Sequence, residues 1–103
     1  MKKLRTDDFF GMKQEKQKIA MITCYDYTMA KILSKTQIDV LLVGDSLGMV
    51  CTGYPNTLPV TLEQMIYHTA SVVRGTSGKF VISDMPFLSY QLSDVQAVES
   101  AGR

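Results

Sequence analysis

The sequence predicts an α/β protein built on a parallel sheet. Two observations carry that reading. Apolar runs at Ile19 to Cys24, Ile38 to Val43 and Phe80 to Ile82 alternate with stretches whose apolar residues recur at helical spacing. The runs are also continuous rather than alternating apolar and polar, the pattern of strands covered on both faces. Strand, helix, strand, helix in this order specifies right-handed crossovers between parallel strands. The composition agrees with a globular domain: 46% of the 103 residues are hydrophobic and 20% charged, with a formal net charge of +1. One core fits a chain of this length, and a compact domain of this size has a radius of gyration of roughly 13 Å.

Taken in order, Thr6 is expected to cap a short helix carrying Asp7 and Asp8 in its first turn, where acids oppose the helix dipole, and Gly11 to keep it short or frayed. The run from Ile19 to Cys24 is the first strand. Asp26 to Ser34 reads as a helix capped by Asp26, with Met29, Ala30, Ile32 and Leu33 on its buried side. Ile38 to Val43 is the second strand, ended by Gly44. The stretch from Gly44 to Pro59 is then longer than the roughly 2–6 residues of an ordinary strand-to-helix connection, and long ordered loops of that kind carry function. Thr61 with Gln64 forms a capping box opening a helix whose face is Leu62, Met65, Ile66, Thr69, Val72 and Val73, with Gly75 and Gly78 closing it. Phe80 to Ile82 is the third strand, barred from continuing by Pro86. Ser93 and Gln96 form a second capping box, and the pattern reaches Arg103 within that helix.

Several function classes are disfavoured. A net charge near zero without a basic cluster beyond the first five residues argues against nucleic-acid binding, which needs a cationic face. The longest apolar runs are far below the roughly 18 residues of a membrane span. Thr6, Asp7 and Asp8 stand where a signal peptide would carry its apolar region, so the chain is expected to be cytoplasmic and unprocessed. Cys24 and Cys51 lack a CxxC partner and His68 is the only histidine, which disfavours zinc sites and disulfide scaffolds. Both cysteines read as buried apolar thiols, and His68 as a structural residue at the edge of its helix's apolar face.

In parallel α/β folds ligands sit at the carboxyl ends of strands. The residues there are Thr23, Cys24, Tyr25 and Asp26; then Gly44, Asp45 and Ser46; then Ser83, Asp84 and Met85. Asp45 and Asp84 occupy equivalent places on neighbouring units. Two carboxylates side by side repel unless a cation separates them, and hard oxygen donors suit Mg²⁺. Spacing alone leaves them open as turn residues or as metal ligands. Ser46 has no GxSxG elbow around it, and the pair Gly44 and Gly48 is too short for a dinucleotide fingerprint.

Beyond single residues, Val43-Gly44-Asp45-Ser46-Leu47-Gly48-Met49, Asn56-Thr57-Leu58-Pro59-Val60-Thr61-Leu62, Tyr67-His68-Thr69, Arg74-Gly75, Asp84-Met85-Pro86-Phe87 and Ser89-Tyr90-Gln91 resemble the ketopantoate hydroxymethyltransferase family in order and spacing. The resemblance runs from about Thr6 to Arg103. Departures are mild: Cys24, Cys51 and Ser83 stand where the family more usually has a small, an aliphatic and a smaller residue. It implies a (β/α)₈ TIM barrel of the phosphoenolpyruvate-binding type, with the short first helix covering the barrel bottom. It also implies hydroxymethyl transfer from 5,10-methylenetetrahydrofolate to 3-methyl-2-oxobutanoate, giving 2-dehydropantoate for the pantothenate pathway through a Mg²⁺-stabilised enolate. Carried over by position, Asp45 and Asp84 are metal ligands that also contact the keto acid, Ser46 contacts its carboxylate, and Thr23 and Tyr25 line the site. The family's acid/base glutamate, a third acidic residue and a lysine correspond to positions beyond Arg103, so no catalytic acid or base is expected within the chain. Family members assemble as homo-oligomers.

Such a barrel takes roughly 250 residues. Residues 1–103 are therefore expected to form a partial barrel domain, about three βα units cut within the last helix and inactive alone. Two other readings stand beside it: a non-catalytic interaction module, and an independent small α/β domain using Asp45 and Asp84 for an unrelated Mg²⁺-dependent ligand.

Overall fold

The computed structural model describes residues 4–103; Met1 to Lys3, most of the basic start, lie outside the described residues. In chain order the elements are α1 (Thr6–Gln14), β1 (Met21–Thr23), α2 (Tyr27–Leu33), β2 (Val40–Val43), α3 (Leu47–Val50), α4 (Leu62–Gly75), β3 (Phe80–Ser83) and α5 (Asp94–Ala101). The three strands form one parallel sheet in the order β1-β2-β3. The predicted α/β class and strand order are thus present.

Register follows the apolar pattern. Ile22 stands opposite Leu41 and Leu41 opposite Val81, so these three share one face of the sheet, while Met21, Val40 and Phe80 share the other. Leu41 and Val43 are fully buried and join Ala30 of α2, Met65 and Val72 of α4, and Leu47 and Val60 in a single core. Only β2 is covered along most of its length. Met21 and Ile22 of β1 are 55% and 42% exposed, against the expectation of cover on both faces, because β1 is an edge strand with little packed over it.

The caps explain where helices begin. Thr6 is not the cap of α1: the Asp8 carboxylate accepts the Arg5 N–H at 2.7 Å, which moves the cap to Arg5 and makes Thr6 the first helical residue. The helix is short, as Gly11 suggested, and runs through that glycine to Gln14. Phe9 of α1 meets Phe80 edge to face at 4.9 Å, at the amino end of β3. Asp26 caps α2 as expected, accepting from the Met29 N–H at 2.8 Å. The capping box of α4 (Thr61 with Gln64) forms as read, whereas that of α5 forms only by half: Ser93 accepts the Gln96 N–H, but the Gln96 side-chain oxygen accepts the Leu92 N–H instead of that of Ser93.

The crossing of α2 and α4 corrects the expected buried face of α2. A Cβ on Gly75 would lie 2.5 Å from the Tyr27 carbonyl oxygen and 3.1 Å from the Ala30 Cβ. The two backbones close on each other only where both residues are this small. That turns Ala30 inward and leaves Met29 and Ile32 about half exposed on the outer side. At the amino ends of the strands, Lys79 is buried and donates to the Thr36 carbonyl at 2.6 Å, and the Ser77 N–H donates to Ser34 Oγ at 2.9 Å.

The segment after β2 is not only a loop, since it contains α3, a single turn that buries Leu47 and Gly48. The chain is open rather than compact: its radius of gyration is 14.7 Å, above the roughly 13 Å of a closed domain of this length. No helix among the described residues is long and apolar enough to cross a membrane.

Candidate functional site

The strand ends are brought together by the ladder itself. Beyond the strands proper, the Cys24 N–H donates to the Leu42 carbonyl at 2.9 Å and the Asp84 N–H to the Val43 carbonyl at 3.0 Å. These bonds align Tyr25, Asp45 and Asp84 at one end of three adjacent parallel strands.

Asp84 sits against Asp45. Its Oδ2 accepts the Asp45 N–H at 3.3 Å. Between them Gly44 presents no side chain: a Cβ there would lie 3.4 Å from both Asp84 Oδ2 and Ser46 Oγ. Gly44 therefore leaves open the space around which both oxygens are arranged. Ser46 Oγ is 2.7 Å from the Tyr25 hydroxyl, and either atom can be the donor. Of the five residues singled out from the sequence, four are thus linked: Tyr25 to Ser46, and Asp84 to the backbone of Asp45 beside it. Thr23 is apart, for its side chain is exposed and its hydroxyl makes no hydrogen bond among the described residues.

Helix α4 braces both flanks. His68 Nδ1 lies 2.7 Å from the Tyr25 carbonyl, which can only accept, so Nδ1 carries the proton. The neighbouring Thr69 hydroxyl donates to Ser83 Oγ at 2.8 Å, and Ser83 donates in turn to the Asp84 carbonyl at 3.3 Å. Reading the sequence places His68 on α4 but says nothing of Tyr25, because the partners are 43 positions apart. Tyr90, also missed as a site residue, lines a cavity of about 350 Å³ together with Ser83, Asp84 and Met85. A second cavity, of about 430 Å³, runs from Asp84 between α4 and α5 past Met65, Ile66 and Thr69.

The loop after β3 is held by glutamines. Gln96 Nε2 donates to the Leu88 carbonyl at 2.7 Å, and Gln91 accepts the Leu88 N–H, with Leu88 at φ 67°. A β-carbon residue in this left-handed region costs energy unless its surroundings hold it there.

Both cysteine thiols are held toward the neutral form. Cys24 is buried and its thiol, 3.7 Å from the Asp26 carbonyl, is pushed upward in pKa mainly by burial. Cys51 is exposed, against the expectation that it is buried, because it follows α3 on the outer side of the loop. Its thiol is also raised, first by desolvation and then by the Asp26 charge.

Asp84 Oδ2 and Ser46 Oγ border a gap that a single methyl would fill, with Asp45 next in the chain; the three side chains offer only oxygen donors, a set that fits Mg²⁺, which takes one or two carboxylates and fills its remaining positions with water or substrate oxygens. No third histidine, cysteine or acidic side chain joins them in a cluster among the described residues.

Comparison with known proteins bears on the same residues. The sequence profile of ketopantoate hydroxymethyltransferase matches residues 3–103. Relatives bearing the name 3-methyl-2-oxobutanoate hydroxymethyltransferase include those of Leptospira interrogans serogroup Icterohaemorrhagiae serovar copenhageni, 58% identical over 95 residues (92% of this chain, 36% of the relative), and Clostridium botulinum, 58% identical over 95 residues (92% and 34%). That of Caldicellulosiruptor saccharolyticus is 52% identical over 103 residues, 100% of this chain and 39% of the relative. The chain spans little more than a third of the length of these relatives. With a profile match running through all three strand ends, and more than half of all positions shared with the relatives, the chain belongs to the ketopantoate hydroxymethyltransferase family.

Proposed function

We propose that this chain supplies the metal- and keto-acid-binding part of a hydroxymethyltransferase that moves a one-carbon unit from 5,10-methylenetetrahydrofolate to 3-methyl-2-oxobutanoate. Its three βα units are read as the first part of a (β/α)₈ barrel, which accounts for the exposed face and edges of the sheet. The observation that carries the proposal is that Asp84 Oδ2 and Ser46 Oγ border the empty Cβ position of Gly44, with the Asp84 carboxylate on the Asp45 N–H, at the carboxyl ends of adjacent parallel strands.

In this reading Asp45 and Asp84 hold Mg²⁺, which when bound draws electron density from the keto oxygen and so acidifies the carbon next to the ketone. The protein groups do the rest. The Ser46 hydroxyl faces the carboxylate of the keto acid and orients it. Asp84 is kept in place by the Asp45 N–H and by its own backbone bond to Val43. The proton acceptor is not among these residues and belongs to the remainder of the barrel.

The test is exchange of deuterium at the 3-position of the keto acid without folate, which isolates proton removal from carbon transfer. The protein is this segment grafted in place of the matching residues of the Caldicellulosiruptor relative. Mg²⁺-dependent exchange that falls at least about a hundredfold in both Asp45→Asn and Asp84→Asn is expected. Exchange indifferent to both substitutions would remove these aspartates from the reaction.

A further inference from the structure

Ser46 uses its hydroxyl in an unusual direction. It occupies the N-cap of α3, where a serine ordinarily accepts a backbone N–H from the first turn, but it makes no such bond. The hydroxyl turns instead to the phenol of Tyr25, 2.7 Å away. Tyr25 lies past the last ladder bond of β1, made by Cys24, and before the cap of α2 at Asp26. Its peptide is therefore held by neither element. What holds it is His68, whose Nδ1–H donates to the Tyr25 carbonyl at 2.7 Å from the middle of α4. The ring is itself packed edge-on against Tyr67, with centroids 5.6 Å apart.

We propose that His68 is a positioning residue for Ser46, acting through Tyr25: the imidazole fixes the Tyr25 peptide, and the Tyr25 phenol fixes the serine hydroxyl toward the bound keto acid. Two hydroxyls sharing one hydrogen bond leave one O–H uncommitted. When Tyr25 donates to Ser46, the serine O–H is free to donate to a carboxylate, and the chain of donors strengthens each member. The identity of the ligand rests on the function proposed above, whereas the relay from α4 to Ser46 does not depend on it.

Four isotope-labelled forms of the 103-residue chain test this: the unaltered chain, His68→Asn, which keeps an N–H donor near the Nδ1 position, His68→Leu, which keeps bulk without the donor, and Tyr25→Phe, which loses only the hydroxyl. Long-range proton–nitrogen correlation reads the His68 tautomer, the Ser46 amide resonance reads the loop, and titration with 3-methyl-2-oxobutanoate in the presence of Mg²⁺ reads binding. The expected result is the Nδ1–H tautomer in the unaltered chain, with the Ser46 amide displaced in both His68→Leu and Tyr25→Phe. Keto-acid affinity should fall about fivefold in those two, the worth of one hydrogen bond, and return to within about twofold in His68→Asn. An Nε2–H tautomer, a ring proton lost to rapid exchange because the chain does not hold this fold, or an undisplaced Ser46 amide in His68→Leu would each overturn the proposal. So would a His68→Asn chain that behaves like His68→Leu. The expected tautomer and amide displacements without any keto-acid binding to the unaltered chain would uphold the positioning role and overturn the keto acid as ligand.

Discussion

The Asp84 carboxylate accepts the backbone N–H of Asp45 at 3.3 Å, joining residues 39 positions apart at the ends of neighbouring strands. Parallel pairing of β2 with β3 is the cause: Val43 stands opposite Ser83, so the next residue of each strand emerges at the same level. A carboxylate held this way is oriented before any ligand arrives.

Charge and shape at this pair separate cleanly. Asp84→Asn keeps an oxygen that can accept the Asp45 N–H but removes the negative charge, so the loop should keep its conformation while Mg²⁺ affinity falls at least about tenfold. Asp84→Leu removes the acceptor as well and should also displace the Asp45 amide. Calorimetric Mg²⁺ titration together with amide shifts checks both halves, and equal affinity in Asp84→Asn and the unaltered protein would exclude Asp84 as a ligand.

Gly44 makes a sharper test of the gap itself. Its Cβ position is in ordinary contact range, 3.4 Å from Ser46 Oγ and Asp84 Oδ2, and its backbone does not require glycine. Gly44→Ala should therefore fold with stability within about 1 kcal/mol of the parent. Its methyl group would nevertheless occupy the space between the two oxygens, and Mg²⁺ and keto-acid binding should both be lost. Retained binding with a folded protein would show that ligands approach from another side.

The crossing of α2 and α4 predicts a purely structural effect. Gly75→Ala drives a methyl to 2.5 Å from the Tyr27 carbonyl, forcing the helices apart. A loss of about 1–3 kcal/mol is expected, as for other overpacked contacts. Urea denaturation measures it, and the strand-end hydrogen bonds should persist in the folded fraction. A stabilised Gly75→Ala protein would mean that the helices do not cross this closely.

Burial of Cys24 sets a direction for alkaline pH. The thiol is raised in the folded state, so it contributes stability that is fully present below the unfolded cysteine value of about 8.5 and is lost as pH rises toward the folded value. Denaturation midpoints should decline above about pH 8.5 in the parent and decline less in Cys24→Ala. Thiol reagents should reach exposed Cys51 well before Cys24. An unchanged alkaline slope in Cys24→Ala would assign the decline to other groups.

How much of this was legible in advance depends on the range of the interaction. The caps at Asp26, Thr61 and Ser93 each accept an N–H three residues on, as read, and only the reciprocal half of the Ser93 box fails, because Gln96 takes the Leu92 N–H instead. The cap of α1 was misplaced by one residue because Asp8, in the first turn as read, also reaches back to the Arg5 N–H, which makes Arg5 and not Thr6 the N-cap. The helix α3 left no trace in the pattern, since four residues are too few for a helical period to show. Of the four residues of α2 assigned to the core on hydrophobicity, Ala30 is buried and Leu33 packs against the core as read, whereas the close approach of Gly75 to Ala30 leaves Met29 and Ile32 half exposed.

The sequence by itself determined the α/β class, the order of strands and helices, the family, and the residues that stand at the strand ends, because each follows from local periodicity, local hydrogen bonding or a run of shared residues. Only the tertiary structure decided which of those residues meet: Asp84 with the Asp45 backbone, Tyr25 with Ser46, and His68 with Tyr25. The physical reason is that parallel strands are joined through intervening helices, so their ends become neighbours only after each crossover has packed and the register is set. Nothing in the chain between Tyr25 and His68 encodes a 2.7 Å contact; the packing of α4 against α2 and over β2 and β3 does.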